Sequence, residues 1–236
     1  MNIRLFHPNS IVENTTSLLS KEHTHYVVNV MRLKRGSTLN FFNKDGEWKS
    51  EIVFLDRDRV EVKFLYKIKQ SSVSSTLELA ICLVKKGPME IILQKATELG
   101  VSKIIPIISE RTEIKELNFE RAKKIVIEAT EQSNQLSPPE ISKVIKLKDF
   151  LNDLDSSTTL LFADVNSKES LKVGSTKNIK SLVVLIGPEG DFSPIERQSI
   201  LEKPGVKPFA ISRNILRSDT AVISAISLAN FVTNDH

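Results

Sequence analysis

The sequence predicts an α/β protein: a domain of alternating strands and helices around a largely parallel sheet, preceded by a small, mostly β domain. Three observations carry this. From residue 77 onward, apolar runs of strand length alternate with amphipathic runs of helix length, as in parallel sheets with crossover helices. Before residue 70, short strand-like runs are separated by turn signals instead. Between the two patterns lies the polar, serine-rich stretch Gln70–Thr76, the composition of a linker. The domains are therefore placed at 1–70 and 76–236.

In the first domain, residues 20–31 read as a helix, with Ser20 as cap and Glu22 in the first turn. Thr38–Asn43 reads as a strand, Lys44-Asp45-Gly46 as a hairpin turn and Glu47–Leu55 as the partner strand. Arg57–Tyr66 makes a third strand with period-two alternation, and the whole suits a compact barrel with one helix. In the second domain, Leu77–Val84 is a continuous apolar run of the kind buried on both faces of a parallel sheet. A helix over Met89–Leu99 follows Pro88 and ends at Gly100. Lys103–Ile108 is a strand. Phe119–Asn134 is a helix, because Ala122, Ile125, Val126 and Ala129 recur at three- and four-residue steps. A weaker helix covers Leu147–Asp153. Strands at Thr158–Ala163, Leu182–Ile186 and Lys207–Ile211 alternate with helices at Pro194–Glu202 and Ser218–Val232.

Composition narrows the function. Forty per cent hydrophobic and 26% charged residues in a chain of 236 is globular and enough for two cores. The single cysteine, Cys82, cannot form an internal disulfide, and no Cys/His cluster has metal-ligand spacing. The first ten residues lack an apolar targeting core, and no apolar run reaches bilayer length. A soluble, cytoplasmic protein without a metal is expected. The net charge is +4, and residues 1–73 hold 12 of the 33 Lys and Arg but only 8 of the 29 Asp and Glu. The whole excess therefore sits in the first domain, where it either attracts a polyanion or is ordinary solvated surface.

Parallel sheets bind ligands beyond the carboxyl ends of their strands, and two loops there stand out. Gly187-Pro188-Glu189-Gly190-Asp191-Phe192-Ser193 follows an apolar strand. Two glycines within four residues allow close backbone approach, and Pro188 stiffens the turn. The loop lacks the third glycine of a dinucleotide fingerprint and the Lys-Ser/Thr of a P-loop. Its acidic residues suit a cationic or hydroxyl-rich ligand better than phosphates; it also reads as a plain strand-to-helix turn capped by Ser193. The second loop, Ile211–Ala221, carries Arg213 and Arg217 ahead of a helix capped by Ser218 or Asp219. Those guanidinium groups suit phosphate or carboxylate, or pair with surface acids. His7, His23, His25 and His236 all lie outside the α/β core, which argues against histidine catalysis.

Several short motifs occur together. Lys85-Lys86-Gly87-x-Met89-Glu90, Gln94-Lys95-x-Thr97-Glu98-Leu99-Gly100, Ser109-Glu110-Arg111, Glu128-Ala129-x-Glu131-Gln132-Ser133, Gly187-Pro188-Glu189-Gly190 and Ile215-Leu216-Arg217-x-x-Thr220-Ala221 follow in that order. Arg4-x-Phe6, His25 and Met31-Arg32-x-x-x-Gly36 precede them. In this the chain resembles, along nearly its whole length, the bacterial small-subunit ribosomal RNA methyltransferase E family of the SPOUT superfamily.

That resemblance implies an N-terminal PUA-like β-barrel that helps hold RNA and an α/β domain with a deep C-terminal trefoil knot. It implies a homodimer whose active sites draw on both chains, and transfer of a methyl group from S-adenosyl-L-methionine to N3 of one uridine in 16S rRNA of the small ribosomal subunit. The cofactor is expected in the loops Leu161–Asp164, Ile186–Gly190 and Ile211–Leu216, at Leu161, Phe162, Ala163, Ile186, Gly187, Glu189, Gly190, Ile211, Ile215 and Leu216. Arg213, Arg217 and Glu189 are the expected catalytic residues, with Glu189 and Asp219 the candidates for a base. Arg4, Arg32, Lys34 and Lys85 are expected to touch RNA. Another SPOUT RNA methyltransferase, acting on a ribose 2′-hydroxyl or a tRNA base, and a non-catalytic RNA-binding homologue are the alternatives. The chain departs from the family pattern at Asp191, where a glycine is usual, and at Ser218-Asp219, where Thr-Glu is usual. It departs again at Gln135, where an arginine is usual, and at Ser212 or Arg213, where a glycine is usual.

Overall fold

The computed structural model describes residues 3–70, 77–171 and 181–233; linker residues 71–76 and the terminal His236 lie outside them. The chain divides into two units, one of residues 1–73 with 130–137 and the other of residues 74–129 with 138–236. A cut at the linker alone does not anticipate the return of 130–137 to the first unit.

The first unit is built on a five-stranded sheet: β1 (Arg4–Phe6), β2 (Thr16–Leu18), β3 (Thr38–Asn43), β4 (Gly46–Leu55) and β5 (Val60–Gln70), in the order β1-β3-β4-β5-β2. β1 runs parallel to β3, and the other pairs are antiparallel. Alternation places Leu39, Phe41, Trp48, Ile52, Val60, Val62 and Phe64 in one core. β1 and β2, three residues each, are too short to show a period in the sequence. The expected helix over 20–31 is α1 (Lys21–His25), capped by Ser20 Oγ accepting from His23 N–H at 3.1 Å. Its continuation, Tyr26–Val30, widens so that Met31 N–H reaches back five residues to Tyr26 C=O.

Residues 130–137 explain Arg4. Its side chain is only 7% exposed; Nε donates to Glu47 Oε2 at 3.1 Å, and Nη1 and Nη2 donate to the carbonyls of Glu131 and Gln135 at 3.1 and 2.9 Å. Phe6 N–H donates to the Glu131 carboxylate at 2.8 Å. A buried guanidinium so fully engaged is not free to bind phosphate, so the expected RNA contact at Arg4 gives way to a structural one. Arg32 and Lys34 are exposed, and Arg32 adopts the left-handed backbone (φ 50°) as the chain turns towards β3.

The second unit is a parallel sheet of β6 (Leu77–Cys82), β7 (Lys103–Ile108), β8 (Glu140–Ile141), β9 (Ile145–Lys146), β10 (Thr159–Ala163), β11 (Leu182–Ile186) and β12 (Val206–Phe209). The order is β12-β10-β11-β6-β7-β8, with β9 also on β7. Its helices are α2 (Lys86–Glu98), α3 (Phe119–Gln132, whose last residues count with the first unit), α4 (Leu147–Asp153), α5 (Pro194–Leu201) and α6 (Ser218–Thr233). Both faces are covered, as the apolar strands require. Leu79, Ile81, Val184 and Ile186 pack with α2 and α6, whereas Ala80, Cys82, Val183 and Leu185 pack with α4 and α5. β12 ends two residues short of the expected Ile211, because Ala210 N–H turns away to bond Glu169 C=O. No helix among the described residues is long and apolar enough to cross a membrane.

Candidate active site

Register fixes which loops meet. β10 pairs with β11 (Phe162 opposite Leu185) and with β12 (Ala163 opposite Phe209), and β11 pairs with β6 (Ile186 opposite Ile81). Parallel neighbours in register end together, so the loops after Ala163, Ile186, Phe209 and Cys82 leave one edge of the sheet side by side. The three stretches expected to hold a cofactor therefore share that edge.

The loop after β11 is the most constrained. Asp191 N–H closes a turn on Pro188 C=O at 2.9 Å. A Cβ on Gly187 would lie 3.0 Å from the Phe192 ring, which itself packs edge-on against Phe162 at 5.7 Å. A side chain at 187 would therefore need the Phe192 ring to give by a few tenths of an ångström. Asp191 has φ 56°, the left-handed region where glycine is usual. Its Oδ1 accepts from Phe192 N–H at 2.8 Å, so the carboxylate is held by its own backbone. Ser193 caps α5 in a reciprocal box with Glu196, as the plain-turn reading expects.

Two adjacent residues of α5 hold the neighbouring loops. Glu196 accepts from Glu110 N–H, beyond β7, at 2.8 Å and from Ser193 N–H at 3.1 Å. Arg197 grips the Asp164 carboxylate, beyond β10, with contacts of 2.7, 3.1 and 3.2 Å. Asp164 is 2% exposed. Burial pushes its carboxyl up, but the Arg197 guanidinium and the Asn166 N–H outweigh burial and leave it below the ordinary carboxylate range. Arg111 Nη1 adds a bond to Gly190 C=O at 3.0 Å. Glu196 and Arg197 received no role from the sequence, Asp164 only a place at the end of an expected cofactor loop and Arg111 one in a family motif. Only the position of Asp164 and Arg111 just after strands hints at a role, since their partners lie 33 and 79 residues away.

Lys85, Arg111, Glu113, Pro188, Glu189 and Gly190 line a cavity of about 70 Å³. By the share of a water in the liquid (about 30 Å³), that is room for roughly two waters, far below the about 300 Å³ at which ligand pockets begin. Lys85 Nζ stands 3.9 Å from Glu113 Oε2, both exposed. Leu161, Phe162 and Ile186 are buried in the core, so only their backbone groups remain for a ligand. Ala163, Ile211 and Leu216 are half-buried, whereas Glu189, Gly190, Arg213 and Arg217 are exposed and Ile215 is 93% exposed. Arg213 and Arg217 have no ion pair among the described residues, so the surface-pair reading of these arginines does not hold there. α6 begins at Ser218, with Ala221 N–H bonded to Arg217 C=O. Ser218 and Asp219 are therefore inside the helix rather than capping it. Among the described residues no group of His, Cys, Asp and Glu could hold a metal ion.

A parallel α/β unit in one chain with a small β unit is an architecture that a solved ribosomal RNA methyltransferase shares. The family model described as RNA methyltransferase domain matches residues 69–230, and that described as RNA methyltransferase PUA domain matches residues 19–65. A Rickettsia conorii protein named ribosomal RNA small subunit methyltransferase E is 34% identical over 95% of this chain and 93% of its own length. The solved ribosomal RNA small subunit methyltransferase E of Neisseria gonorrhoeae, bound to S-adenosyl methionine, superposes with TM-score 0.87 at 26% identity, covering 99% of this chain and 98% of that one. A Legionella pneumophila methyltransferase in complex with the same cofactor gives TM-score 0.85 at 27% identity over the full length of both. The chain belongs to the ribosomal RNA small subunit methyltransferase E family.

Proposed function

We propose that this chain transfers the methyl group of S-adenosylmethionine to N3 of one uridine in the 16S rRNA of the small ribosomal subunit. The observation that carries it is the match to a relative of that name along 95% of the chain, with two cofactor-bound relatives superposing on the same fold. The residues at the sheet edge fit the cofactor. Gly190 and Ile215 are exposed and Gly187, Ala163, Ile211 and Leu216 half-buried; their backbone groups suit adenine and ribose, and Glu189 suits hydroxyl or ammonium groups. No nest for a diphosphate is needed.

When bound, the cofactor supplies an already activated methyl group, so the protein's work is alignment and charge. Uracil N3 carries a proton at neutral pH and becomes nucleophilic as that proton leaves. Arg213 and Arg217 lie on the loop beside β10 as free cations, suited to hold the target nucleotide's phosphate or the anion developing on its ring. Glu189 stands next to the cofactor in this reading, and either it or Asp219 accepts the proton. The target base must leave its stack to reach this edge. Lys85, at the cavity rim, and Arg32 and Lys34, in the first unit, serve RNA phosphate.

The further features of the family follow as part of the same proposal: the two domains, the trefoil knot, a homodimer and a cytoplasmic location. For the knot, the support is topological. The chain leaves β12 at the edge of the sheet, yet α6 packs on β11 and α2, so the chain returns across β10. The test uses small subunits from a strain lacking this gene, incubated with the protein and methyl-labelled cofactor. One methyl on N3 of a single uridine is expected. Label on ribose or in tRNA overturns the assignment in favour of a different RNA methyltransferase, and absence of cofactor binding by calorimetry overturns catalysis altogether. Arg217→Ala should leave cofactor affinity within about twofold while lowering turnover on the order of 10²-fold, the usual effect of removing one transition-state cation or donor.

A further inference from the structure

We propose that the outer face of the sheet in the first unit docks single-stranded RNA, with Tyr66 as the stacking platform for one unpaired base. The inference rests on the reading of the chain as an RNA methyltransferase and names a surface by which RNA is gripped away from the reacting base. Residues directly opposite across a ladder share a face, as do alternate residues along a strand. The register therefore lays out three rows on this face: Asn40, Lys49 and Tyr66; Phe42, Glu47 and Lys69; Thr38, Glu51 and Lys63. Asn40, Phe42 and Glu47 are buried, Phe42 and Glu47 beneath Arg4, so the part open to RNA is Lys49, Tyr66, Lys69, Lys63, Glu51 and Thr38. Extra residues in β5 opposite the steps Lys49/Ser50 and Glu47/Trp48 keep Tyr66 and Lys69 on it. Lys67 goes to the other face, where its Nζ lies 4.7 Å over the Trp48 ring.

Tyr66 is 53% exposed. Lys49, Lys63 and Lys69, around it, have no ion-pair partner among the described residues. Of the two carboxylates in these rows, Glu47 is taken up by Arg4 and Asn40, which leaves Glu51 against three free cations. Beside Tyr66's row, Arg4, Asn40, Glu47, Lys69 and Asn134 line a cavity of about 520 Å³, within the range of pockets that hold a small ligand. Asn40, 3% exposed, gives Nδ2 to Glu47 Oε1 at 2.8 Å, and its Oδ1 has no donor among the described residues. A cavity walled by two amides, the Arg4–Glu47 pair and the unpaired Lys69, next to an exposed ring, is suited to a nucleotide adjacent to the stacked one. An aromatic platform ringed by lysines selects unpaired bases, because a duplex offers no base face to stack on.

The test measures binding of a fluorescent oligouridylate about 12 nucleotides long, within the site sizes of single-strand binders, and of an RNA duplex of equal length, to the full chain without cofactor. Tyr66→Ala should weaken single-strand binding about tenfold, the effect of removing one stacked base, while Tyr66→Phe restores it and duplex binding is unchanged by either. The triple variant Lys49→Ala, Lys63→Ala, Lys69→Ala should flatten the salt dependence of single-strand binding by about two in log–log slope, at about 0.7 for each phosphate no longer neutralised. All four side chains are at least partly exposed, and unchanged circular dichroism verifies folding. Single-strand affinity indifferent to Tyr66→Ala, or a weakening shared equally by the duplex, overturns the proposal. Because no methyl transfer is read, failure of the catalytic reading leaves this outcome untouched. A correctly methylating protein with unchanged Tyr66→Ala affinity refutes only the docking surface.

Discussion

Replacing Arg197 with alanine tests the arrangement that positions the candidate active-site loops. The guanidinium makes three contacts of 2.7 to 3.2 Å to a carboxylate that is 2% exposed. Removing one partner of a buried pair costs about 3–5 kcal/mol, because the charge left behind stays desolvated. Two features reduce the figure here: the Arg197 side chain is 32% exposed, so water enters where it stood, and Asp164 Oδ1 keeps its 3.0 Å bond from Asn166 N–H. About 2–3 kcal/mol remains as the expected loss at pH 7, or roughly 4–12 °C in Tm for a chain of this size.

Protonation sharpens this test. In the native protein burial acts to raise Asp164, yet Arg197 holds it below the ordinary range. The stabilisation is therefore complete above the unfolded value of about 3.9 and is lost as pH falls through the lower folded value. In Arg197→Ala burial acts unopposed by the guanidinium, the carboxyl titrates higher, and the variant loses stability as pH rises. The gap between the two proteins should be widest near pH 7 and narrow towards pH 4. Urea unfolding followed by far-ultraviolet circular dichroism reads it, since α2, α4, α5 and α6 all belong to the second unit. A gap below about 1 kcal/mol, or one of equal size at both pH values, would refute the reasoning.

Three further outcomes are expected. Arg4→Lys should destabilise the first unit by about 2 kcal/mol, because lysine cannot reproduce the fork of bonds to Glu47, Glu131 and Gln135. Unfolding followed by Trp48 fluorescence measures this, and an unchanged salt slope of RNA binding accompanies it if Arg4 is structural. Asp191→Gly should stabilise the protein by about 1 kcal/mol in urea titration, by relieving a non-glycine left-handed residue. Cys82 is buried, with its thiol pushed up to about 12 chiefly by burial, against hydrogen bonds with Ser109 and Thr112. A disulfide-exchange reagent at pH 8 should therefore label it no faster than the chain unfolds.

The second unit was largely legible because its strands are apolar on both faces. Leu77–Cys82 and Leu182–Ile186 have no polar interruption but Glu78, and a buried parallel strand is one of few structures that tolerate such runs. What periodicity cannot carry are elements of two or three residues, such as β1, β2, β8 and β9. Nor can it carry helix irregularity: Ser20 announces its cap, whereas nothing local marks the widening at Tyr26–Val30. For the site, the glycine-proline loop and the two arginines after β12 were visible as unusual composition. Their supports were not, because Asp164 with Arg197 and Arg111 with Gly190 are pairs from distant sequence positions.

The misreading of Arg4 follows the same logic and shows how it can be avoided. A cation near a chain terminus, in the more basic part of a sequence, invites assignment to RNA. Its fate is decided by Glu47, by the carbonyls of Glu131 and Gln135, and by the Phe42 ring 4.3 Å beneath the guanidinium, none of which is near it in sequence. Lysine on a strand face is read more safely: once a hairpin register is known, alternation states which side it occupies without any long-range partner. That is why Lys49, Lys63 and Lys69, rather than Arg4, carry the electrostatic argument for RNA in the first unit.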